Sequence, residues 1–219
     1  MSSWDYLYAA IPAIVLHEVS HGWVAYFFGD PTAKDAHRLS LNPVRHIDPF
    51  GTIILPALLI FSGLPAFGYA KPVPVNVSRL RRPRVQALYV SLAGPVMNLA
   101  LVAISYGVAR ADIRGYGTEL LQGQRFLVPL YHSTWLFNAC FYFGLVNLLL
   151  AAFNLIPIPP LDGSAIIERF IPTRNLPRYY HYRMYFLPVV MALLIGNALV
   201  FHSDLGFDHL ENWWLNRLF

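Results

Sequence analysis

Long apolar runs are the feature that most limits what this chain can fold into. They cover residues 7–28, 50–67, 85–108, 134–158 and 185–201, and about 20 apolar residues suffice for a helix to cross the hydrocarbon core of a bilayer. Charged residues make up 13% of the chain, about half the roughly 25% that is usual in soluble domains. This composition excludes a disordered chain, a secreted disulfide scaffold and a water-soluble enzyme. The sequence therefore predicts an integral, multi-pass membrane protein.

Basic residues indicate how the chain is oriented. They concentrate in segments 29–49, 70–84 and 169–183, which the positive-inside rule places on the cytoplasmic side. The run 50–67 must then enter and leave the membrane on the same side, as its prolines also suggest. We expect an all-α polytopic membrane protein with four to five transmembrane helices. A re-entrant or β-hairpin element is expected between the first and second full spans, and hydropathy alone favours the five-span count.

No segment between the apolar runs is long enough for a separate soluble domain, since domains typically have about 50–250 residues. We therefore expect one membrane-embedded domain over residues 1–219, with a catalytic core at about 7–165 and a C-terminal helix and tail at about 183–219. The net charge is +4, but the basic residues flank apolar runs, so no nucleic-acid partner is expected. Cys140 is the single cysteine, which excludes a disulfide within the chain.

The first apolar run contains the motif HEVSH at residues 17–21. In a helix His17 and His21 project from one face and can bind one metal ion, while Glu18 can act as general base. Ionisable groups inside a spanning helix are costly and usually functional. The motif therefore predicts a metal site, and the alternative is a polar helix–helix contact with satisfied histidines.

A third ligand candidate follows the fourth run. A catalytic zinc takes three protein ligands and keeps one position open, so another segment must contribute. Asp162 lies in PIPPLDG at residues 157–163, where the prolines cannot continue a regular helix and Gly163 permits a turn that directs the carboxylate inward. An ordinary Asp-Gly turn is the alternative. Only together with HEVSH does Asp162 become a candidate ligand.

Together these motifs resemble the site-2 proteases, zinc metalloproteases that cut within membranes. The resemblance covers most of residues 10–170 in the expected order, and it is greatest to the compact bacterial and archaeal members without a PDZ domain. Besides HEVSH it includes LNPVRHIDPFGT at 41–52, GYAKPVPVN at 68–76, SLAGPVMN at 91–98 and NLIPIPPLDG at 154–163.

The resemblance implies that His17, His21 and Asp162 hold one zinc ion per chain, with Glu18 as general base on zinc-bound water. It also implies that Asn154 handles the substrate backbone. The expected activity is hydrolysis of peptide bonds within or near transmembrane segments of membrane-protein substrates, at a site open to the cytoplasmic side of a prokaryotic cell membrane. The alternative is a membrane metal-binding or metal-transport protein that uses the same histidines without proteolysis.

The segment KPVPVN at residues 71–76 alternates proline and valine. Proline in sheets is confined to edges and strand starts, so the pattern predicts an extended edge strand. Such a strand could accept a substrate by strand addition. Val73, Val75 and Asn76 are therefore candidate substrate-binding residues.

Other polar residues have weaker signals. Asn98 and His46 are candidates for supporting a metal ligand or a loop of the site, and the alternatives are a small-residue helix contact for Asn98 and a solvated loop position for His46. Asn138 and Asn147 are expected to form hydrogen bonds between helices. The sequence leaves homo-oligomerisation open.

Overall fold

Helices make up nearly all of the regular structure in the computed structural model. It describes residues 3–54, 57–58, 61, 70–114, 134–183, 185–186, 189 and 213–214. The α-helices are α1 (Ser3–Phe27), α2 (Thr32–Asp35), α3 (Pro83–Arg114), α4 (Trp135–Asn154) and α5 (Ser164–Phe170), and residues 176–183 are helical as well. Shorter 3₁₀ turns lie at Pro43–His46, Val77–Arg79 and Thr173–Asn175, and a π-helical turn lies at Pro49–Ile54. No strand occurs in these residues, which confirms the all-α expectation for them.

The three long helices pack together as the centre of the fold. Helix α3 contacts both α1 and α4, and α1 also contacts α4. Small side chains such as Ala13 on α1 and Ala109 on α3 allow close packing around Phe141 and Leu145 of α4. Trp214, near the C-terminus, is buried in the same cluster and donates a hydrogen bond from Nε1 to Phe141 O at 3.2 Å. The core of the bundle therefore contains residues from the N-terminal helix and from near the C-terminus.

The distribution of polar and apolar side chains on α3 is that of a helix in lipid. Val96 and Ile104 are each 60% exposed, whereas Asn98 is fully buried and Ser105 is 3% exposed. A water-soluble helix would bury its apolar face instead. By length and composition, residues Pro83–Asp112 of α3 and the whole of α4 could cross a membrane. These two helices support a membrane-embedded bundle.

The count of four to five spans stays a prediction. Helix α1 has 25 residues, long enough to cross, although it carries the polar HEVSH motif. The last apolar run, 185–201, lies almost wholly outside the described residues. In the run 50–67 the π-helical turn ends at Ile54, and residues 62–69 lie outside the described part. The re-entrant element therefore stays a prediction.

The prediction of an edge strand at residues 71–76 is wrong. The prediction of a β-hairpin is therefore wrong for the described residues as well. Pro72 and Pro74 have no amide donor, and the remaining donors do not face a neighbouring strand. Separate acceptors hold three of these four amides instead: Lys71 N donates to His46 O (2.9 Å), Val73 N to Glu18 Oε2 (2.9 Å) and Asn76 N to Asp30 Oδ2 (2.6 Å). Residues 70–76 are thus an irregular strap fixed to α1 and its following loop.

The three basic segments meet at one end of the bundle. Arg38 donates from Nη2 to Lys71 O at 2.6 Å, which joins the first basic segment to the second. Arg84, at the start of α3, donates from Nη2 to Arg169 O at 3.1 Å, which joins the second to the third. This arrangement agrees with a common side of the membrane for all three segments.

Candidate metal centre and comparisons with known proteins

Helix α1 presents two histidines to the interior of the bundle. His17 and His21 are one helical turn apart and only 6% and 8% exposed. Their Nε2 atoms lie 3.1 Å apart. The i, i+4 spacing of HEVSH thus brings two imidazole nitrogens to one point among apolar helices.

A stripe on α3 holds the other nitrogen of each ring. Val90, Gly94 and Asn98 are spaced four residues apart and therefore share a helical face. His21 donates from Nδ1 to Val90 O at 2.7 Å, and His17 donates from Nδ1 to Asn98 Oδ1 at 2.5 Å. With both Nδ1 atoms used in this way, each Nε2 keeps its lone pair for a cation.

Gly94 lies between these two contacts, directly against the imidazole pair. A Cβ atom added there would lie 2.5 Å from both His21 Nε2 and His17 Cε1. Distances below 3.0 Å force something to move. The position therefore requires glycine, because any side chain would occupy the space in front of the two nitrogens.

The loop after α4 supplies the third candidate ligand. Gly163 N donates to Asn154 O at 2.6 Å, which closes residues 155–163 into a compact turn at the end of the helix. This turn directs Asp162 Oδ2 to 3.1 Å from His17 Nε2 and 3.4 Å from His21 Nε2. The oxygen is buried, and no described group donates a hydrogen bond to it.

These three atoms fit a zinc ion. Two lone-pair nitrogens and a carboxylate oxygen converge without a proton donor between them, an arrangement that a cation stabilises. Zn–N bonds of about 2.0–2.1 Å in a tetrahedral site separate neighbouring ligand atoms by roughly 3.3–3.4 Å. The separations of 3.1–3.4 Å among His17, His21 and Asp162 are close to that range. Among the described residues, no other group of three or more His, Cys, Asp or Glu side chains is close enough together to hold a metal ion.

Glu18 is adjacent to the histidine pair in sequence but has a different contact. Its Oε2 accepts the Val73 amide at 2.9 Å, so the strap at residues 70–76 orients the carboxylate. Val73 itself is buried against α1 beside Gly22, where an added Cβ would lie 2.9 Å from Val73 Cγ1. The candidate base and the candidate substrate segment are therefore in direct contact.

A second carboxylate holds the same strap farther along. Asp30, fully buried after α1, accepts hydrogen bonds from the Asn76 amide and from the amide and hydroxyl of Thr32. Burial alone would raise the pKa of Asp30, but these hydrogen bonds outweigh it and hold the pKa below its usual value. Asp30 is thus a charged anchor for the end of the strap.

The remaining candidates lie at the margins of the site. Asn154 donates from Nδ2 to Leu150 O at 3.0 Å. His46 is buried, and its described contacts are with Ser40 O and, through its own carbonyl, with Lys71. The structure thus brings Asn98 to the histidines, whereas His46 contacts the loop and the beginning of the strap.

Sequence reasoning missed two residues that shape the site, Gly94 and Asp30, and it missed that Asn147 connects to His17 through Asn98. Gly94 and Asn98 have the same four-residue spacing as the two histidines, a signal that could have paired the helices. Asn147 had been expected to bond between helices, and its Oδ1 accepts from Asn98 Nδ2 at 2.7 Å. Asp30 carried no comparable pattern.

Comparisons with known proteins agree with this geometry. The model of "Peptidase family M50" matches residues 128–196, which include Asn154 and Asp162. Relatives that carry the printed name "Putative zinc metalloprotease" include YwhC of Bacillus subtilis, 42% identical over 162 residues, or 74% of this chain and 67% of YwhC. The chain belongs to peptidase family M50.

Two further relatives with the printed name "Putative zinc metalloprotease" are less similar. Rip2 of Mycolicibacterium smegmatis is 28% identical over 85% of this chain, and Rip2 of Mycobacterium tuberculosis is 31% identical over 71% of it. The chain spans 65% and 53% of those two proteins. No solved structure matches.

M50 membership determines the class of enzyme and its metal. M50 is the site-2 protease family, so this chain is a zinc metalloendopeptidase of a membrane-embedded family, and Zn²⁺ is its cofactor. His17, His21 and Asp162 are the residues whose geometry would hold that ion. The comparisons do not favour the alternative of a metal transporter.

Proposed function

We propose that this M50 protease hydrolyses peptide bonds within or near transmembrane segments of membrane proteins. The observation that carries the proposal is the position of the ligand set. His17 and His21 are buried between α1 and α3, and α3 exposes apolar side chains on its outer face. Gly94, beside the histidines, is 11 residues from the start of α3, or roughly 16 Å at 1.5 Å per residue. A site at that depth serves a substrate that is itself in the membrane.

Glu18 is the general base in this proposal. Bound zinc would acidify a water molecule and polarise the scissile carbonyl. Glu18 takes the proton of the attacking water and delivers it to the leaving amine. The Val73 amide holds one oxygen of the carboxylate, which orients the side chain and leaves the second oxygen for the proton.

The strap provides the proposed substrate contact. Val73 and Asn76 donate their amides to Glu18 and Asp30, whereas Val75 between them makes no backbone hydrogen bond to another described residue. A substrate strand would therefore pair first at Val75 and would then compete for the amides of Val73 and Asn76. Asn154, at the end of α4 and joined through its carbonyl to the turn that carries Asp162, is proposed to hold the substrate backbone as well.

We further propose that the site opens to the cytoplasm. The three basic segments lie at one end of the bundle, and Asp162 precedes α5, whose last turn contacts Arg84 at that end. Water and the cleaved product would then pass on the cytoplasmic side. Cysteines introduced at residues 82 and 174 should both be labelled from that side in a chain lacking Cys140.

The variant Glu18→Gln tests the proteolytic function. Removing a general base typically costs about 10²–10⁴-fold, so cleavage of a reconstituted single-span substrate should fall by that factor while one zinc per chain remains. Glu168→Gln, which removes the carboxylate that pairs with Arg183 at 3.0 Å, is the matched control and should cleave normally. Comparison of membranes containing wild-type or Glu18→Gln protein by proteomics would identify natural substrates.

Two results would contradict the proposal. One is cleavage by Glu18→Gln at the wild-type rate. The other is equal cleavage of the membrane substrate and of its soluble tail alone, which would remove the preference for membrane segments. Zinc release across liposomes that is unaffected by Glu18→Gln would favour a transporter instead.

A further inference from the structure

A chain of buried amides leads from α4 to the metal site. Asn147 donates from Nδ2 to Phe143 O at 2.7 Å, and Asn98 donates from Nδ2 to Asn147 Oδ1 at 2.7 Å. Asn98 Oδ1 then accepts the Nδ1 proton of His17. Both asparagine side chains are fully buried, where an unsatisfied amide would be costly.

The donor and acceptor roles along this series of hydrogen bonds are determined by Phe143 O, at the end farthest from the metal site. Phe143 O is a backbone carbonyl and can only accept, so the NH₂ group of Asn147 must face it. Asn147 therefore presents its oxygen to Asn98, and Asn98 in turn presents its own oxygen to His17. The result is a proton on His17 Nδ1 and a free lone pair on Nε2, the atom that faces Asp162 at 3.1 Å.

The two histidines differ in this respect. His21 donates from Nδ1 to Val90 O, a backbone carbonyl in α3 that has only one orientation. His17 depends on a side-chain amide, whose two ends have nearly the same shape. A reversed Asn98 would present NH₂ to Nδ1, favour the tautomer with its proton on Nε2 and remove one lone pair from the metal site.

We propose that Asn147 is a positioning residue that selects the metal-binding tautomer of His17 through Asn98. The inference rests on the proposed zinc ligands, but it concerns the affinity for zinc and not the cleavage step. Its readout is therefore the zinc dissociation constant of the purified protein, measured by competition with a chelator.

Asn147→Leu is the first test, because it keeps a similar volume and removes both hydrogen bonds. Loss of the groups that orient metal ligands typically costs about 10–100-fold in metal affinity, and we expect a weakening in this range. Asn138→Leu is the matched control, because it exchanges the same side chain on the same helix nine residues earlier, or roughly 13 Å away along the helix axis. Its zinc affinity should equal that of the wild type.

A double variant distinguishes selection of a tautomer from packing. Asn98→Asp places two equivalent acceptor oxygens at this position, so that either orientation accepts the His17 proton. Combined with Asn147→Leu, it should restore most of the lost zinc affinity. The unfolding temperature of the metal-free protein reports folding, and Asn147→Ala replaces Asn147→Leu if the latter does not fold.

Wild-type zinc affinity in Asn147→Leu would overturn the inference, as would a weakened affinity that Asn98→Asp fails to restore. A wild-type protein that binds no zinc through His17 and His21 would contradict the proposed function itself. These failures are therefore distinguishable.

Discussion

Helix α1 contacts helix α3 and the strap in opposite ways. Toward α3, its histidines donate to Val90 O and Asn98, groups held in place by a regular helix. Toward the strap at residues 70–76, the side chain of Glu18 accepts an amide from an irregular segment. The first contact joins two rigid helices, whereas the second depends on single hydrogen bonds from the strap.

This difference separates the two tasks of the enzyme. A metal needs ligands held to within a few tenths of an ångström, and helix-on-helix packing with fixed hydrogen bonds provides this. A substrate strand needs backbone groups that can exchange partners, and single amide–carboxylate bonds provide that. We therefore expect changes on the α3 side to act on zinc affinity and changes on the strap side to act on cleavage.

Gly94→Ala should have the larger effect. The added Cβ lies 2.5 Å from ring atoms of His17 and His21, so the imidazoles must move. We expect zinc affinity to fall by about 100-fold, the upper end of the range for disturbed ligand orientation, and cleavage to fall with it. Chelator competition measures this change. Gly107→Ala is the control, since a Cβ there meets no described atom within 4 Å.

Gly22→Ala is the counterpart on the strap side. Its Cβ would lie 2.9 Å from Val73 Cγ1 and 2.5 Å from Leu39 Cδ2, so these side chains must move, and we expect the Val73 amide that holds Glu18 to shift with them. Displacing catalytic groups by about 1 Å can slow a reaction by about 100-fold, and the shift expected here is smaller. We expect roughly tenfold slower cleavage with unchanged zinc affinity. A loss of zinc in Gly22→Ala equal to that in Gly94→Ala would remove the distinction between the two sides.

Asp30→Asn should have the smallest effect, on stability and with a defined pH dependence. Hydrogen bonds hold the pKa of Asp30 below its usual value, so its ionised form stabilises the fold. This contribution is complete above the unfolded pKa of about 3.9 and is lost as the pH falls through the lower folded value. The unfolding temperature of Asp30→Asn should therefore lie below that of the wild type at pH 7, by about 2–4 °C per kcal/mol lost.

The same difference should shrink as the pH falls from the unfolded pKa of about 3.9 through the lower pKa of Asp30 in the folded protein. Both proteins are compared without metal, so that protonation of the zinc ligands affects neither measurement. An unfolding-temperature difference that stays constant down to pH 3 would show that Asp30 does not act through its charge.

The sequence predicted the helical elements and the candidate ligands better than the irregular parts. The geometry of HEVSH could be predicted because residues four apart in a helix always lie on one face. The turn in PIPPLDG could be predicted because its prolines end the helix and its glycine permits a turn. The strand at 71–76 was wrong because alternation of proline and valine indicates an extended chain but does not say what accepts its amides. Those acceptors, Glu18 and Asp30, lie more than 40 residues away, and no local pattern joins them to the strap.

X-ray absorption at the zinc edge of the purified protein tests the proposed ligand set of His17, His21 and Asp162. We predict one zinc per chain, bound by two imidazole nitrogens at about 2.0–2.1 Å and by oxygen. In Asp162→Ala the two imidazoles should remain while zinc is held more weakly. A sulfur ligand, which only Cys140 could provide among cysteines, or zinc retained unchanged in a variant lacking both His17 and His21, would contradict it.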